Sequence, residues 1–431
     1  AAGAEMQAGV NPKNITRLFD IYDDNDQGTV YYSQWLTEPV VLPETIVSNI
    51  IAPVDGSAQK SRVLQIEGIA VSPAGVSYVE VSIDGGDSWY RATGARNWHY
   101  DWEVPADGTY TFDSRAVYTG ADGDLIEVPT AQVTVTVDSS LPTTTGLLTG
   151  DEAWSGEILL TGDVTVPAGV TLTIEPGTTA RFLALNDDQG SGSNGSRAEL
   201  IVRGALVAEG TAEQPIVFTS SSSDPNKGDW YGIRLVADAN DASISLDHCT
   251  VAYAAVGVAA AVAADTHNVV VNIAHCTIHQ TSSHGIHVSG QMGSRTTIDI
   301  AANNVMYNDG HGIYFEMRNP ATQLNGSITD NEISNNGGYG LYVYGWYKTN
   351  IDLVIDGNLI EANQNYGIYL YTWTGYDVRT YFTVSNNRIL ASGTGIYCYA
   401  YRGPMTVTIS DNEIANGSDG IYCRSDVDSS S

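Results

Sequence analysis

The sequence has few basic residues, few cysteines and no long apolar run. Only 19 lysines and arginines stand against 50 aspartates and glutamates in 431 residues, which gives a formal net charge of −31. Nucleic-acid binding requires clustered cations that displace counterions from phosphates, so this charge balance argues against nucleic acid and anionic membrane as partners. No stretch approaches the roughly 18 apolar residues of a transmembrane helix, and we expect no membrane span.

The N-terminal residues Ala-Ala-Gly-Ala-Glu lack the basic segment and the apolar segment of a secretion signal. We therefore interpret them as a mature, processed end. A highly acidic surface keeps a protein dispersed in a salty medium. Together these features predict a secreted protein that is extracellular or bound to the cell surface.

Residues 1–42 are predicted to form an N-terminal segment with one helix and an acidic loop. In that loop Asp23, Asn25 and Gln27 occupy alternate positions, as the ligands of an EF-hand-type calcium loop do. Gln34, however, stands where such a loop places its bidentate glutamate. A calcium site and a simple acidic turn therefore both remain open, and the sequence indicates no other cofactor.

Residues 43–138 are predicted to form a β-sandwich, because short alternating runs are separated by turn signals such as Asp84-Gly85-Gly86. The segment from Tyr78 to Trp89 resembles the immunoglobulin-like modules of secreted and periplasmic bacterial proteins. The resemblance implies a spacer or a docking unit. Residues 139–146, which are rich in serine, threonine and proline, are predicted to be a linker to the remaining residues, 147–431.

The region 147–431 contains an internal repeat of 25 to 29 residues. Two independent columns recur with this period, and a shared period in two columns indicates a solenoid. The polar column is Cys249, Cys276, Asn304, Asn331, Asn358, Asn387 and Asn412. The glycine column is Gly257, Gly285, Gly312, Gly340, Gly367, Gly395 and Gly420.

The repeat combines short β runs with polar turns and has no helical periodicity. In this it resembles the right-handed parallel β-helix repeat family, and the fold class is therefore expected to be all-β. The resemblance implies one repeat per coil, and asparagines stacked at a turn can hydrogen-bond to the backbone and to each other. We expect the asparagine column to be structural.

Strand alternation after each glycine predicts which side chains point inward and which point outward. The residue directly after the glycine and the one two positions later should form aliphatic core columns. The intervening positions should form an outward aromatic grid. Its residues are Tyr314, Tyr342, Tyr344, Trp346, Tyr369, Tyr371, Trp373, Tyr397, Tyr399, Tyr401 and Tyr422.

Two interpretations of this aromatic grid remain open. Aromatic residues favour strands and stack between coils, so they can stabilise the solenoid wherever they point. A flat apolar patch of some hundreds of Å² is, however, unusual on a monomer unless it binds something. The grid is therefore also a predicted contact surface.

Catalytic motifs typical of β-helix enzymes are incomplete. Gly310-His311-Gly312 resembles the Gly-His-Gly of polygalacturonases, but the aspartate motifs that accompany it in those enzymes are missing, and it falls within the repeat. A polysaccharide lyase would need a base and often calcium. The candidates near the grid form no recognisable set; they are Lys348, Arg318, Arg402, Arg424, His287 and His311.

The cysteines fall into two pairs at equivalent positions of neighbouring coils, Cys249 with Cys276 and Cys398 with Cys423. Stacking brings each pair near disulfide distance, but parallel side chains would strain the bond. Disulfides and buried thiols are both compatible with this spacing. No C-x-x-C pair is present, which argues against c-type haem and a four-cysteine zinc site.

These features predict a secreted, non-enzymatic structural protein of the cell surface or of an extracellular filament. The last coil carries no evident cap, and an open solenoid end favours self-association or the binding of another surface protein. The alternative is a protein that binds or cleaves polysaccharide through the aromatic grid.

Overall fold

A computed structural model describes residues 45–426, except 122, 238–240, 264–267, 292, 319, 374–377, 379, 391–392 and 416. The predicted helix and the calcium-type loop with Asp23, Asn25 and Gln27 lie outside the described residues. Within them the chain is all-β, and no helix there is long and apolar enough to cross a membrane. The chain divides into two compact units, residues 1–141 and 142–431.

The described residues of the first unit form ten strands. They are β1 (Val47–Ala52), β2 (Ala58–Gln59), β3 (Val63–Val71), β4 (Tyr78–Ser82), β5 (Tyr90–Arg91), β6 (Thr93–Gly94), β7 (Asn97–Glu103), β8 (Gly108–Gly120), β9 (Gly123–Ile126) and β10 (Val133–Val137). One sheet has the order β1-β3-β7-β6, and the other has the order β2-β10-β8-β4-β5 with β9 paired to β8. Both sheets contribute to one core, which includes Ile66, Trp98, Val79 and Phe112. This arrangement is compatible with the predicted sandwich.

Among the described residues of the second unit there are 31 short strands. They are β11 (Gly146–Leu147), β12 (Glu152–Trp154), β13 (Glu157–Leu160), β14 (Val164–Val166), β15 (Thr171–Ile174), β16 (Thr179–Phe182), β17 (Glu199–Val202), β18 (Ala205–Glu209), β19 (Ile216–Ser220), β20 (Gly232–Ala237), β21 (Ala242–Asp247), β22 (Cys249–Ala252), β23 (Val258–Val262), β24 (Asn268–Ala274), β25 (Thr277–His279), β26 (Ile286–Gly290), β27 (Arg295–Ala301), β28 (Asn304–Met306), β29 (Ile313–Met317), β30 (Gln323–Thr329), β31 (Glu332–Ser334), β32 (Leu341–Trp346), β33 (Asn350–Asp356), β34 (Leu359–Glu361), β35 (Ile368–Trp373), β36 (Thr380–Ser385), β37 (Arg388–Leu390), β38 (Thr394–Tyr401), β39 (Met405–Ser410), β40 (Glu413–Ala415) and β41 (Asp419–Asp426).

These strands form three long parallel sheets in which every third strand pairs. The first sheet runs from β11 through β14 to β41, the second from β12 to β39, and the third from β13 to β40. Each coil of the chain thus adds one strand to each sheet, which is the architecture of a parallel β-helix. The prediction of this fold from the repeat is confirmed.

The inside of the β-helix is filled by the predicted aliphatic columns. Ile313 pairs with Leu341 and Leu341 with Ile368 in neighbouring coils, and all three are buried. In the last strand, β41, the equivalent Ile421 is exposed. The core columns therefore lie as the alternation predicts as far as β38, and the last strand is the exception.

An asparagine ladder connects the coils at the turn between the second and third sheets. Nδ2 of each asparagine donates to Oδ1 of the next at 2.9 Å, and it also donates to a main-chain carbonyl. The backbone N–H of each asparagine reaches the same Oδ1. The ladder residues are Asn303, Asn331, Asn358, Asn387 and Asn412.

The prediction that Asn304 belongs to the asparagine column is wrong by one residue. Asn303 is buried and lies in the ladder, whereas Asn304 begins β28 and is exposed. Both residues of this Asn-Asn pair satisfy the repeat spacing, so the period alone could not separate them. The bond from the N–H of Cys276 to Oδ1 of Asn303, at 2.8 Å, shows which of the two continues the column.

A second asparagine ladder, which the sequence interpretation missed, lies at the turn after the third sheet. Asn308 donates to Asn336 and Asn336 to Asn363, again at 2.9 Å, and all three are buried. In the coils between Asn303 and Asn363, two turns are thus held by the same side-chain chemistry.

The glycine column is required by the close approach of successive coils. A Cβ on Gly312 would lie 2.8 Å from the carbonyl oxygen of Gly340 and 2.4 Å from a methyl group of Ile333. A Cβ on Gly340 would meet Gly367 at the same 2.8 Å. A side chain here would push the coils apart.

All four cysteines are free thiols, which decides between the two alternatives left open by their spacing. Cys249, Cys276 and Cys398 are buried, and Cys423 in the last strand is exposed. The thiol of Cys276 accepts the backbone N–H of Cys249 at 3.3 Å, so this pair extends the asparagine ladder. Hydrogen bonding to Cys276 and burial raise the pKa of Cys249 far above its ordinary value, which keeps it a thiol.

We predict that Asn331→Ala destabilises the β-helix by about 3 kcal/mol or more, because it leaves several buried donors and acceptors unsatisfied at about 1–3 kcal/mol each. The measurement is the midpoint of chemical denaturation, followed by far-UV circular dichroism. Asn325→Ala is the matched control: Asn325 is exposed in the same coil, and its loss should change stability by less than about 0.5 kcal/mol. Equal effects of the two substitutions would contradict a stabilising role for the ladder.

Candidate functional site: the aromatic face

The structure brings all eleven predicted aromatic residues together on the outer side of the first sheet, from β29 to β41. They form three columns along the coil axis, and we call this surface the aromatic face. The first column is Tyr314, Tyr342, Tyr369, Tyr397 and Tyr422. The second is Tyr344, Tyr371 and Tyr399, and the third is Trp346, Trp373 and Tyr401.

Most neighbouring rings in a column are stacked face to face. The Tyr344 and Tyr371 rings are nearly parallel at 7°, with centroids 5.1 Å apart, and Trp346 and Trp373 stack at 4.9 Å. Tyr369 and Tyr397 do the same at 4.8 Å. Parallel rings this close cannot lie side by side in one plane, so they stand upright on the sheet. Their faces cover each other, and their edges point to solvent.

Each column contains one break in the stacking. Tyr342 meets Tyr369 at 88°, which is an edge-to-face contact. Tyr371 and Tyr399 meet at 70°. In the third column Trp373 and Tyr401 meet at 62°. The flat platform expected from the sequence is therefore a ridged surface of half-buried rings.

A further aromatic column borders the face and was missed from the sequence. It consists of the residues directly before the glycine column: His284, His311, Tyr339 and Tyr366. His284 and His311 stack at 5.0 Å, and Tyr339 meets Tyr366 edge to face at 4.9 Å. The signal was present, because an aromatic residue precedes four consecutive glycines of the repeat.

The histidines of this border are held neutral and are bonded to the backbone. Nδ1 of His284 accepts the N–H of His311 at 3.0 Å, and Nδ1 of His311 accepts the N–H of Tyr339 at 2.8 Å. Burial lowers the pKa of His284 to about 3 and that of His311 to about 4. The Gly-His-Gly motif around His311 therefore has a structural explanation in the coil-to-coil bonding.

The buried tyrosines of the first column keep their protons. Burial, followed by the charge of Glu316, raises the pKa of Tyr314, whose hydroxyl donates to Glu316 Oε1 at 3.0 Å. Burial also raises the pKa of Tyr342 and Tyr369. Near neutral pH these phenols are hydrogen-bond donors and acceptors rather than bases.

Arginines border the aromatic face and are paired with carboxylates or rings. Arg318 contacts Glu316 at 2.5 Å and lies 5.8 Å above the Trp346 ring. Arg424 contacts Asp426 at 2.6 Å, at the other end of the face. Arg402 lies 5.2 Å from the Tyr401 ring centroid, a cation–π distance. These arginines therefore stabilise the aromatic rings, and their contacts do not fit the role of a catalytic base.

A separate group of side chains, which the sequence interpretation also missed, lies at the turn after the second sheet. We call Asp247, His248 and His275 the imidazole–carboxylate cluster. Nδ1 of each histidine lies 2.8 Å from Oδ1 of Asp247, and the two rings stack at 4.7 Å. Imidazole nitrogen and carboxylate oxygen are donors that copper and zinc ions accept. The sequence signal was a histidine before each of two cysteines of the polar column.

Comparison with protein families gives two matches in the β-helix region. Residues 219–430 match the family described as periplasmic copper-binding protein (NosD). Residues 151–267 match the pectate-lyase like β-helix domain. No curated protein matches the chain. These two matches and the stacked parallel coils show that the chain belongs to the parallel β-helix repeat family.

Proposed function

We propose that this chain is a non-enzymatic structural protein of the periplasm or cell surface, which self-associates through the aromatic face. The observation that carries the proposal is the upright stacking of the tyrosine and tryptophan rings. It makes a rigid row of ring edges and hydroxyls that needs little further ordering on binding.

The composition of the face fits a protein partner. Tyrosine, tryptophan and arginine are enriched at protein interfaces, and rigid rings lose little conformational entropy there. From the strand and residue spacings, the three columns are roughly 13 Å across; the first runs about 19 Å along the coil axis and the other two about 10 Å, so all three together cover roughly 130 Å² between ring centres. A standard interface buries about 800 Å² per partner, so the face is large enough to be the centre of one, with a polar rim around it.

Charge favours a second copy as the partner. Arg318, Arg402 and Arg424 border the face, while the whole chain carries 50 acidic residues and only 19 basic ones. Arg318 and Arg424 already contact carboxylates of their own chain, but a guanidinium has five donors and can bind a further carboxylate from an acidic surface of another copy. Such a contact joins two different surfaces, and repeated contacts of that kind produce open assemblies such as filaments.

The family description supports the location. The NosD family is described as periplasmic, and its match covers the residues that form the aromatic face. The acidic composition is consistent with a protein that is exposed to a salty medium. We extend both observations to this chain as part of the proposal.

The contacts of the candidate bases support a non-catalytic role. Nδ1 of His311 is already occupied by a backbone N–H, and Arg318 and Arg424 are each paired with a carboxylate. His287 is stacked on Tyr314 at 4.8 Å, and burial lowers its pKa. Each of these groups has a structural task in the coil stack.

We predict that the full chain self-associates in a concentration-dependent manner and that the triple variant Tyr344→Ala, Tyr371→Ala, Trp373→Ala weakens this association at least about tenfold. Tenfold corresponds to about 1.4 kcal/mol, which is less than the loss of one strong interface residue. The measurement is sedimentation velocity over a range of concentrations, with negative-stain microscopy for filaments.

The double variant Tyr307→Ala, Tyr381→Ala is the matched control, because both residues are exposed and neither lies on the face. It should associate as the unmodified chain does. A chain that stays monomeric at high concentration would refute self-association.

Polysaccharide binding is a second candidate function. Among the described residues, the hydroxyls of Tyr344 and Tyr371 show no hydrogen bond, and a row of such groups beside apolar ring edges can bind sugar hydroxyls. The stacking covers the ring faces on which sugars usually lie, which is why we rank this function second.

This second function predicts retention of the protein in affinity electrophoresis with an acidic polysaccharide, and loss of retention in the triple variant. The Tyr307→Ala, Tyr381→Ala variant should be retained normally. Unsaturated uronate products, detected by their ultraviolet absorbance, would show that the chain cleaves the polysaccharide as a lyase and does not only bind it. Equal migration with and without every polysaccharide tried would exclude the function.

A further inference from the structure

We infer that the imidazole–carboxylate cluster of Asp247, His248 and His275 is a binding site for a divalent transition-metal ion. The site lies at the turn after the second sheet, away from the first sheet that carries the aromatic face. It is independent of the proposed self-association, and neither depends on the other.

The β-helix places the two histidines one above the other. His248 and His275 occupy the same turn position in successive coils, directly before Cys249 and Cys276, and both have a left-handed backbone with φ of 49° and 50°. Coil spacing is about 4.8 Å, and the observed ring separation is 4.7 Å. The repeat therefore brings two imidazoles together that are 27 residues apart in sequence.

The carboxylate reaches both rings because the next coil leaves room for it. Asp247 lies two residues before Cys249. In the parallel pairing of β21 with β24 it is next to the small residue Ala274 of the following coil. His275 follows Ala274, and its Nδ1 hydrogen-bonds to Asp247 Oδ1 at 2.8 Å. A large side chain in place of Ala274 would separate the carboxylate from the upper histidine.

One donor atom in the cluster is left unsatisfied. Nδ1 of His248 is buried and makes no hydrogen bond, although Oδ1 of Asp247 is only 2.8 Å away. A buried nitrogen without a partner costs free energy, and a metal ion that accepts its lone pair removes that cost. The unsatisfied atom lies 2.8 Å from the same oxygen that His275 contacts.

The distances suit direct coordination. All three donor atoms lie within 4.8 Å of one another. Bonds of about 2.0–2.1 Å place neighbouring ligand atoms about 3.3 Å apart around tetrahedral Zn²⁺ and about 2.9 Å apart at the right angles of Cu²⁺, and each Nδ1 lies 2.8 Å from Oδ1 before binding. His275 is half exposed, so it can move by the few tenths of an ångström required, and water can complete the coordination shell.

The donors select the class of ion. Two imidazole nitrogens and one carboxylate suit Zn²⁺ or Cu²⁺, whereas Ca²⁺ prefers six or more oxygen ligands. The sulfur atoms nearby face the core: the Cys249 thiol bonds to the carbonyl oxygen of Ala208 at 3.2 Å. We therefore assign no thiolate to the site. On binding, His275 changes tautomer: Nδ1 gives up its proton to water and Nε2 takes one from water, so that the ring stays neutral and the ion occupies the lone pair of Nδ1.

The test is isothermal titration of Zn²⁺ into the tag-free full chain after chelator treatment. We expect one Zn²⁺ per chain, and we expect His275→Gln and Asp247→Asn each to weaken binding on the order of tenfold or more, since even changes behind a ligand cost about 10–100-fold. Ca²⁺ in large excess should not displace the Zn²⁺. Far-UV circular dichroism and melting of the variants verify that the coils remain folded.

His99→Gln is the matched control, because His99 lies in β7 of the other unit and should leave Zn²⁺ affinity unchanged. Electron paramagnetic resonance with Cu²⁺ gives a second readout: nitrogen splitting from two imidazoles is expected in the unmodified chain and from one in His275→Gln. Unchanged Zn²⁺ affinity in His275→Gln, or displacement by Ca²⁺, would overturn the site and indicate ions held loosely by the acidic surface. Absence of Zn²⁺ binding by the unmodified chain would also overturn it.

Discussion

The structure depends on one constraint: equivalent residues of successive coils must lie directly above one another at the spacing of paired strands. The asparagine ladder enforces it at one turn, where Asn303, Asn331 and Asn358 donate in sequence and also bind the main chain. The second ladder, through Asn308 and Asn336, enforces it at another turn. Because both turns are tied to the next coil, the three sheets keep one register from coil to coil.

That register turns single residues of the sequence into columns on the surface. A tyrosine that points outward in one coil meets a tyrosine in the next, so Tyr344 and Tyr371 stack without any contribution from loops. The same rule pairs His248 with His275 on a different part of the molecule. The two candidate sites thus differ in chemistry but arise from one geometric principle.

Much of this could be predicted from the sequence, because the repeat period and strand alternation are both visible in it. They predicted the parallel β-helix, the inward columns through Leu341, and the outward positions of the tyrosines. They could not predict ring orientation, because the sequence is the same whether the Tyr371 ring lies flat on the sheet or stands upright on it. Packing between coils decides that orientation, and it reverses the expectation of a flat platform.

The remaining errors also have physical causes. Asn303 and Asn304 both satisfy the period, and only hydrogen bonding separates them. The cluster at Asp247 was missed because its two histidines do not belong to either repeat column. They lie one position before Cys249 and Cys276, which do. Whether a repeated turn position can hold an ion depends on the side chain beside it, here the small Ala274, and one-dimensional spacing does not record that.

The ladders have a consequence for how such a chain can change over evolutionary time. A ladder asparagine donates to its equivalent one coil later, so an inserted or deleted segment preserves the bonding only if its length is a complete coil. Duplication of one whole coil would lengthen the aromatic face by one row and leave every other row intact. The coil is therefore the natural unit of growth, and the length of the aromatic face can be inherited as a number of coils.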